Sequence, residues 1–294
     1  MELVSFAPET APSLLLPEKE ILLLPIGDIQ YGTPGCDMDR LKRHIKWGES
    51  MRAKGHSVYY VGLGDYSDLI SPSNRKLVKQ MKINAYDSLK SMMDDAAMEN
   101  LEVMKKVLKP TVGKWIGMVS GHHYWEFEDG MNTDFMLARY LETPYLGRCA
   151  LIHLRFNQNK WTSTAKIWLH HGQGGGQTAS APINKVMRNA VPFWMAHLYL
   201  IGHYHSKSTQ PIPWIDSVCD QDGKVRMIGT TRYIVSCGGF LGGYAAEGRN
   251  AAGVAIPNYI EEAMLSPNTL GAPVIFIRPV RKSGIPTIDL NVLV

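Results

Sequence analysis

Short apolar runs alternate with longer amphipathic segments along about the first 200 residues of the chain. The apolar runs are continuous, which is typical of strands buried on both faces of a sheet. They are Ile21–Ile26, Val58–Val61, Trp115–Val119 and Leu198–Ile201. Amphipathic patterns predict helices, which cover residues 37–54, 73–109 and 182–197. Strands that alternate with helices in this way predict an α/β fold.

The rest of the pattern predicts mostly β structure. Two strand-like runs, residues 151–156 and 161–169, flank a short polar segment and are typical of a hairpin. Residues 206–294 combine strand-forming residues with Pro and Gly turns, whereas the prolines within residues 1–19 predict an extended lead-in. We expect one domain over residues 1–294, without internal repeats.

The composition is that of an ordinary globular protein, with 45% hydrophobic and 20% charged residues. It excludes a disordered or collagen-like chain. Lys and Arg exceed Asp and Glu by 31 to 27, a net charge of +4. This charge is compatible with a phosphorylated substrate, either a small molecule or a nucleic acid, but is too weak to indicate nucleic-acid binding by itself.

Cysteine usage and hydropathy indicate the cellular compartment. The four cysteines are scattered without a C-x-x-C pair, so we expect reduced thiols rather than a disulfide framework or a zinc knuckle. No apolar run approaches the roughly 18 residues that a membrane helix needs. Because the sequence also shows no secretory signal, we expect a cytoplasmic protein with no membrane partner.

Acidic, amide and imidazole side chains follow the predicted strands at the point where each strand ends. They are Asp28, Gln30, Asp65, His122, His123, His170, His171, His203 and His205. Taken singly, each is more typical of a turn residue or a hydrogen-bonded histidine. The remaining histidines are interpreted in that way: His44, His56, His153 and His197. Because ligands bind beyond the carboxyl ends of strands in open α/β sheets, we expect the strand-end residues to converge. Carboxylates combined with imidazoles favour Mn, Fe, Zn or similar ions.

The order of these residues matches a known set of motifs. They lie in Gly27-Asp28-Ile29-Gln30, Gly64-Asp65-Tyr66-Ser67-Asp68, Gly121-His122-His123, His171-Gly172 and Gly202-His203-Tyr204-His205. The series resembles the calcineurin-like metallophosphoesterase superfamily, whose motifs are D-x-H, G-D-x-x-D, G-N-H-D/E, H and G-H-x-H in this order. The resemblance covers residues 21–205 and extends loosely through Gly238–Tyr244. It implies a four-layer α/β/β/α sandwich of two mixed sheets flanked by helices.

The resemblance also implies an activity and a role for each residue. The activity is hydrolysis of phosphate esters, as a phosphodiesterase or phosphatase, by a hydroxide that bridges two divalent transition-metal ions (Mn, Fe or Zn). The implied ligands are Asp28, Gln30 and His205 for the first ion, Asp65 for both ions, and His122, His171 and His203 for the second ion. His123 matches the family's catalytic histidine, which contacts the phosphate and protonates the leaving oxygen. Asp68 is expected to orient a ligand without binding metal, and His170 is the alternative to His171.

Two residues depart from the family's motifs. Gln30 stands where most members have histidine, and it offers a neutral amide oxygen in place of an imidazole nitrogen. Manganese-dependent ADP-ribose/CDP-alcohol pyrophosphatases are similar at this position. His122 replaces the usual asparagine, which favours metals that prefer nitrogen ligands. An inactive site is the alternative that these departures leave open.

Other functions are weighed against the phosphoesterase. A nuclease similar to Mre-type exonucleases would share the metals but need a groove for the strand, and the helical region 73–109 is the only candidate surface. A non-catalytic scaffold similar to retromer-type members is disfavoured because His123 is present. Gly172–Gly176 lacks the Lys-Ser/Thr of a P-loop, and the absence of H-E-x-x-H and G-x-S-x-G motifs excludes the zincin and serine-hydrolase interpretations.

Overall fold

Strands and helices alternate through most of the chain. A computed structural model describes residues 12–294 except 18, 72–73, 76, 79, 82–85, 159–160, 177, 220–222, 245–251, 255–258, 263, 265 and 283. The strands are β1 (Ser13–Leu16), β2 (Ile21–Ile26), β3 (Ser57–Gly62), β4 (Trp115–Met118), β5 (Cys149–Gln158), β6 (Trp161–His170), β7 (Leu198–Ile201), β8 (Lys207–Cys219), β9 (Val225–Cys237), β10 (Val274–Lys282) and β11 (Ile285–Leu293). The helices are α1 (Met38–Ala53), α2 (Asp87–Leu108), α3 (Thr133–Tyr140), α4 (Ala181–Asn189) and α5 (Tyr259–Glu262), with a 3₁₀ turn at Lys109–Thr111. The protein is a mixed α/β protein with two mixed sheets.

The first sheet has five strands in the order β11-β10-β2-β3-β4. Its strands β2, β3 and β4 are parallel, whereas β10 runs antiparallel to β2 and β11. Every residue of β2 and β4 is buried, which explains their continuous apolar sequences. Since parallel strands end at the same edge of a sheet, the segments that carry Asp28, Asp65 and His122 begin at one edge.

The second sheet has six strands in the order β1-β5-β6-β7-β9-β8. Strands β6, β7 and β9 are parallel, whereas β5 and β8 are the antiparallel partners of β6 and β9. β6 ends at His170, directly before His171, and β7 ends at Ile201, two residues before His203. The histidines of this half of the chain therefore also follow the carboxyl ends of neighbouring strands.

Three apolar clusters connect the sheets and helices. The first contains residues of both sheets, including Leu23 and Ile167. The second joins the five-stranded sheet to Ile45 of α1 and Leu101 of α2, and the third joins the six-stranded sheet to Val186 of α4. Along β2, Ile21 and Leu23 belong to the first cluster while Leu22 and Leu24 belong to the second, because successive side chains of a strand point to opposite faces.

Several predicted elements are confirmed. The strand predicted over Ile21–Ile26 is β2, and the helix predicted over residues 37–54 is α1. The hairpin is formed by β5 and β6, which pair antiparallel throughout their length; its residues 159–160 lie outside the described part of the chain. The C-terminal third is mostly β structure, as expected.

Two helix predictions were wrong in extent. The helix expected over residues 182–197 ends at Asn189, because Pro192 has no backbone N–H and disfavours helical geometry at the residue before it. The helix expected over residues 73–109 is interrupted, since Tyr86 has an extended backbone and α2 begins only at Asp87. A carboxylate in the first turn stabilises a helix at that position.

The elements that were not predicted from the sequence include β1, α3 and the short helix α5. β1 lies within the expected lead-in, whose residues 1–11 and 18 are outside the described chain, and it pairs parallel with β5. α3 begins after Asn132, whose side chain accepts a hydrogen bond from the backbone N–H of Phe135 at 2.8 Å. Asparagine at this position is a recognised helix-start signal. Among the described residues, no helix is both long and apolar enough to cross a membrane.

Candidate metal and active site

Hydrogen bonds tie together the strand-end loops of the two sheets. The backbone N–H of His203, after β7, donates to Asp28 Oδ2, after β2, at 2.7 Å. His171 Nδ1, after β6, lies 2.6 Å from the carbonyl oxygen of Leu63, after β3. The N–H of Asp28 donates to the carbonyl of Gly64 at 2.9 Å. Loops from both sheets therefore meet at one place, as expected for the carboxyl ends of the strands.

The backbone at this meeting point adopts an unusual conformation. Eight non-glycine residues among those described have positive φ, and five of these are predicted ligands, with φ between 49° and 71°. The five are Asp28, Gln30, Asp65, His203 and His205. A left-handed backbone costs a non-glycine residue of order 1–3 kcal/mol and tends to be retained at functional sites. The strain is thus concentrated on the residues that were selected for their chemistry.

Gly121 permits the closest approach between two of these loops. A Cβ atom at Gly121 would collide with the backbone nitrogen and Oδ1 of Asp65. Without that side chain, Asp65 Oδ1 accepts hydrogen bonds from the backbone N–H groups of His122 and His123, the latter at 3.0 Å. The Gly-His-His sequence therefore places two backbone donors on one carboxylate oxygen.

Four side chains form the tightest group in the site, named here the Asp65 cluster. It contains Asp65, His122, His171 and His203, and one potential ligand atom from each lies within 4.8 Å of the others. The ring centroid of His122 lies 4.6 Å from that of His171 and 4.9 Å from that of His203. Three imidazoles and one carboxylate in this space could hold a metal ion.

Asp65 and His171 form an ion pair at the centre of this cluster. His171 Nε2 lies 3.2 Å from Asp65 Oδ2. Burial by itself raises the pKa of Asp65, but the charge of His171 and its hydrogen bond bring that pKa below the usual range. Burial likewise lowers the pKa of His171, but Asp65 outweighs it and raises this pKa to about 9. The positive charge of His171 therefore balances the negative charge of the buried Asp65 carboxylate, a role that a bound metal ion could also fill.

The other imidazoles of the cluster are neutral. Burial, followed by the charge of His171, lowers the pKa of His122 to about 3 and that of His203 to about 4. Neutral imidazole is the form that binds metals, because its free nitrogen carries a lone pair. His203 Nε2 faces the carbonyl oxygen of Gly174 at 3.2 Å, an acceptor that fixes the hydrogen on Nε2 and leaves Nδ1 as the ligand atom.

The remaining predicted ligands form a second, looser set, named here the Asp28 group: Asp28, Gln30 and His205. Asp28 Oδ1 lies 4.0 Å from His205 Nε2. Burial raises the pKa of Asp28 to about 7 and lowers that of His205 to about 4. Gln30 Nε2 donates to Asp65 Oδ2 at 3.0 Å. Its amide therefore presents nitrogen to the carboxylate, whereas metal binding by Gln30 requires its oxygen.

His123 lies beside the two ligand sets and is held by Asp68. His123 Nδ1 is 2.7 Å from Asp68 Oδ1, and its Nε2 is 3.9 Å from Asp65 Oδ2. Burial lowers the pKa of His123, but the hydrogen bond and the charge of Asp68 outweigh it, so the net pKa is raised. Asp68 also accepts a hydrogen bond from Thr33. Asp68 thus orients His123, where the sequence predicted that it would orient a ligand.

His170 is placed apart from the cluster. Its Nδ1 accepts a hydrogen bond from the backbone N–H of Gly172 at 2.7 Å, and its ring stacks on Trp168 with 5.6 Å between centroids. The ring nitrogen on that side is therefore engaged with the backbone. Of the two adjacent histidines, His171 is the one whose ring reaches Asp65.

Sequence reasoning missed two residues that support the His122 loop. Asp134, buried at the start of α3, accepts a hydrogen bond from the N–H of Gly121 at 3.0 Å. Burial raises the pKa of Asp134 to about 7. Arg75 donates to the carbonyls of His122 and Tyr124 and lies over the Tyr124 ring, 3.9 Å from its centroid. Neither residue lies in a motif, so only their three-dimensional contacts reveal them.

A cavity of about 340 Å³ opens beside the site. Its lining includes Gln30, Asp65, Asp68, His123, His203 and His205. Cavities of this size are typical of small-ligand sites. The predicted catalytic histidine and several predicted ligands thus share one cavity wall.

The donor set fits divalent transition-metal ions. Among the predicted ligands, two buried atoms, Asp28 Oδ1 and His205 Nδ1, have no hydrogen-bond partner among the described residues. A buried polar atom without a partner is costly, unless a ligand or an ion satisfies it. Because the two atoms are a carboxylate oxygen and an imidazole nitrogen, these residues fit Mn, Fe or Zn.

Comparisons with known proteins show similarity to solved structures alone. No protein-family model and no curated protein matches the chain. Among solved structures, the chain is similar to Chaetomium thermophilum Vps29, with 10% identity, coverage of 93% of this chain and 95% of that chain, and a TM-score of 0.33. The complex of C. thermophilum Vps29 with the RaPID-derived cyclic peptide RT-D3 gives 9% identity, coverage of 93% and 96%, and a TM-score of 0.29. Scores this low support no inference about activity.

Proposed function

We propose that the protein is a metal-dependent phosphoesterase of the calcineurin-like superfamily that hydrolyses a small phosphate ester. The observation that carries the proposal is the Asp65 cluster, whose four potential ligand atoms lie within 4.8 Å of one another. Two of its residues, Asp65 and His203, line a cavity that His123 also lines. The proposal includes the four-layer sandwich and a single domain over residues 1–294. It is supported by β2, whose alternate residues pack against the other sheet and against helices.

The residues divide into two metal-binding sets. The Asp65 cluster would hold one ion, and the Asp28 group together with Asp65 would hold a second. When bound, such ions neutralise phosphate oxygens and make a water molecule acidic enough to act as a nucleophile near neutral pH. Asp65 is placed to serve both sets, since one oxygen faces Gln30 and His171 while the other is held by backbone N–H groups.

His123 is proposed as the proton donor to the leaving alkoxide. The carboxylate of Asp68 can only accept a hydrogen bond, so it fixes the hydrogen of His123 on Nδ1 and directs Nε2 away from itself. The raised pKa of His123, in which the hydrogen bond to Asp68 opposes the effect of burial, increases the fraction that carries a proton on Nε2. A general acid so placed contributes about 10²–10⁴-fold to the rate.

The cavity favours a small substrate over a nucleic acid. The cavity volume of about 340 Å³ lies near the lower end of the range of roughly 300–1,000 Å³ for small-ligand sites. A phosphate and a small alcohol fill this space. A polynucleotide strand needs an open, positively charged groove several nucleotides long, and the described cavity lining contains one lysine and no arginine.

The test is metal-dependent hydrolysis. Protein stripped with a chelator and dialysed should hydrolyse bis(4-nitrophenyl) phosphate only after Mn²⁺, Fe²⁺ or Zn²⁺ is restored. Asp65→Asn should remain inactive with the same metals, whereas Asp39→Asn, an exposed substitution on α1, should match the wild type. Hydrolysis that survives complete metal removal would contradict the proposal. If the wild type binds the metal ions but hydrolyses neither monoesters nor diesters, the result would favour the non-catalytic scaffold.

A further inference from the structure

The cavity reaches beyond the metal and proton-transfer residues. Its lining continues through Ser206 and Lys207 at the start of β8 and through residues 266–269 before β10. A phosphate held by the predicted metal ligands would leave this second portion of the wall free. Another part of the substrate would then contact it.

Lys207 is the only lysine or arginine among the described residues that line the cavity. No described carboxylate forms an ion pair with it, although other lysines of the chain, such as Lys42 and Lys114, have acidic partners. The aliphatic stem of Lys207 packs against Gly238, where a Cβ atom would collide with its Cγ. A half-buried ammonium group without an anionic partner is a natural site for an anion.

A second cationic side chain, Arg40, lies near Lys207. A Cβ atom placed on Gly271 would lie 3.9 Å from both Lys207 Nζ and Arg40 Cδ, so the two side chains flank the same glycine. Arg40 is paired with Asp37 at 3.1 Å, whereas Lys207 lines the cavity without a described carboxylate partner. The positive charge that remains available to an anion in the cavity is therefore that of Lys207.

The wall near Lys207 is preformed. The side-chain amide of Asn268 donates one hydrogen bond to the carbonyl of His205 and one to the carbonyl of Leu241, each at 3.0 Å. These bonds fix the segment 266–269 to the loops that follow β7 and β9. A site held by such contacts loses little entropy when it binds a ligand.

We propose that Lys207 binds a second anionic group of the substrate, so that the enzyme prefers phosphate esters whose alcohol carries a further phosphate, sulfonate or carboxylate. This inference rests on the proposed phosphoesterase activity and names its substrate class. Lys207 acts as a specificity-determining residue: it contacts the part of the substrate that does not react.

The experiment compares two esters that differ only in the second anion. They are 4-nitrophenyl propyl phosphate and 4-nitrophenyl 3-sulfopropyl phosphate, assayed with the manganese-loaded protein. The wild type should favour the sulfopropyl ester by about tenfold in kcat/KM, equivalent to about 1.4 kcal/mol. Lys207→Met should reduce this ratio to about one, and Lys207→Arg should retain most of it. Lys42→Met, an exposed control on α1 paired with Asp39, should keep the full ratio.

A binding measurement separates this inference from the proposed activity. Calorimetry with 3-sulfopropylphosphonate and propylphosphonate, which are not hydrolysed, should show tighter binding of the sulfonate to the wild type and equal binding of both to Lys207→Met. If neither ester is hydrolysed, the proposed function fails while the binding ratio still tests Lys207. The inference is overturned if wild type and Lys207→Met show the same preference, or if the wild type shows none.

Discussion

The two ligand sets of the site differ in how far they are prepared for a metal ion. In the Asp65 cluster, one ligand atom from each of four residues lies within 4.8 Å of the others, and neutral imidazoles surround one carboxylate. In the Asp28 group, the carboxylate and His205 are 4.0 Å apart, and Gln30 turns its amide nitrogen toward Asp65. If the protein binds two ions as proposed, one would meet a nearly complete set of ligands, whereas the second would require Gln30 to turn.

The Gln30 amide shows why the second set is incomplete. An amide oxygen facing Asp65 would repel the carboxylate unless a cation lay between them, so the amide donates its N–H instead. A histidine at this position could offer a nitrogen lone pair to a metal ion, whereas the Gln30 amide would first have to rotate to present its oxygen. In the proposed phosphoesterase, Gln30 would therefore affect the order in which the two ions bind.

The largest expected effect follows removal of the shared carboxylate. In Asp65→Asn the amide oxygen can still accept the N–H groups of His122 and His123, so we expect the fold to persist. We expect metal affinity at the Asp65 cluster to fall by about 10³-fold, because loss of an outer partner of a ligand alone costs about 10–100-fold. Metal analysis after equilibrium dialysis measures this loss, with Asp39→Asn as control. If Asp65→Asn still binds metal fully at both sets, Asp65 is a ligand in neither set.

The next largest effect distinguishes a loss of turnover from a loss of metal binding. His123→Ala should retain its metal ions yet lower turnover by about 10²–10³-fold on a diester with a poor leaving group, as expected for loss of a general acid. With 4-nitrophenolate as leaving group the loss should be smaller, since that anion departs without a proton. Steady-state kinetics with metal analysis on the same samples checks both points. Metal loss in His123→Ala would make this residue a ligand, and equal losses on both esters would make it a phosphate-binding group.

A smaller effect sharpens the contrast between the sets directly. At a Mn²⁺ concentration that fills only the Asp65 cluster of the wild type, Gln30→His should raise occupancy from about one to about two ions per chain, because imidazole binds these ions more strongly than a neutral amide oxygen. Calorimetric titration with Mn²⁺ would show the second binding step at a lower metal concentration. If Gln30→His abolishes metal binding instead, Gln30 acts through the hydrogen bond to Asp65 and not as a ligand position.

The last effect is on stability and not on activity, and it concerns the buried support of the Asp65 cluster. Burial raises the pKa of Asp134 to about 7 from an ordinary value of 3.8. Between pH 4 and pH 7 the folded protein thus keeps a proton that the unfolded chain releases, so this carboxyl makes the free energy of unfolding fall as pH rises. Asp134→Asn should remove that dependence and gain stability relative to the wild type, by at most about 1.4 kcal/mol per pH unit. Urea unfolding of the metal-free wild type and Asp134→Asn at pH 4 and pH 7 measures this difference in stability. If the free energies of unfolding of the two proteins change in parallel with pH, the pKa of Asp134 is not raised.

The sequence predicted most of the site's residues because their backbone positions follow strand ends. Asp28, Asp65 and His203 come directly after buried apolar runs, which the hydrophobic pattern identifies without a structure. Asp134 and Arg75 could not be found in this way, since they reach Gly121 and the carbonyl of His122 from elements distant in the chain. Their roles depend on tertiary packing, which a local pattern does not contain.

The fold was predictable to a similar degree. Buried strands such as β2 have distinctive continuous apolar sequences, whereas the end of α4 depended on how strongly Pro192 interrupts an otherwise helical pattern. The orientation of Gln30 was also beyond sequence reasoning, because an amide can present either oxygen or nitrogen and its neighbours decide which.

The most direct test is a crystal structure of the manganese-soaked protein with anomalous diffraction data. We predict a strong anomalous peak within ligand distance of Asp65, His122, His171 and His203, and a weaker one beside Asp28 and His205 that strengthens in Gln30→His. A peak at neither set under saturating Mn²⁺, or strong peaks only elsewhere in the molecule, would contradict the account.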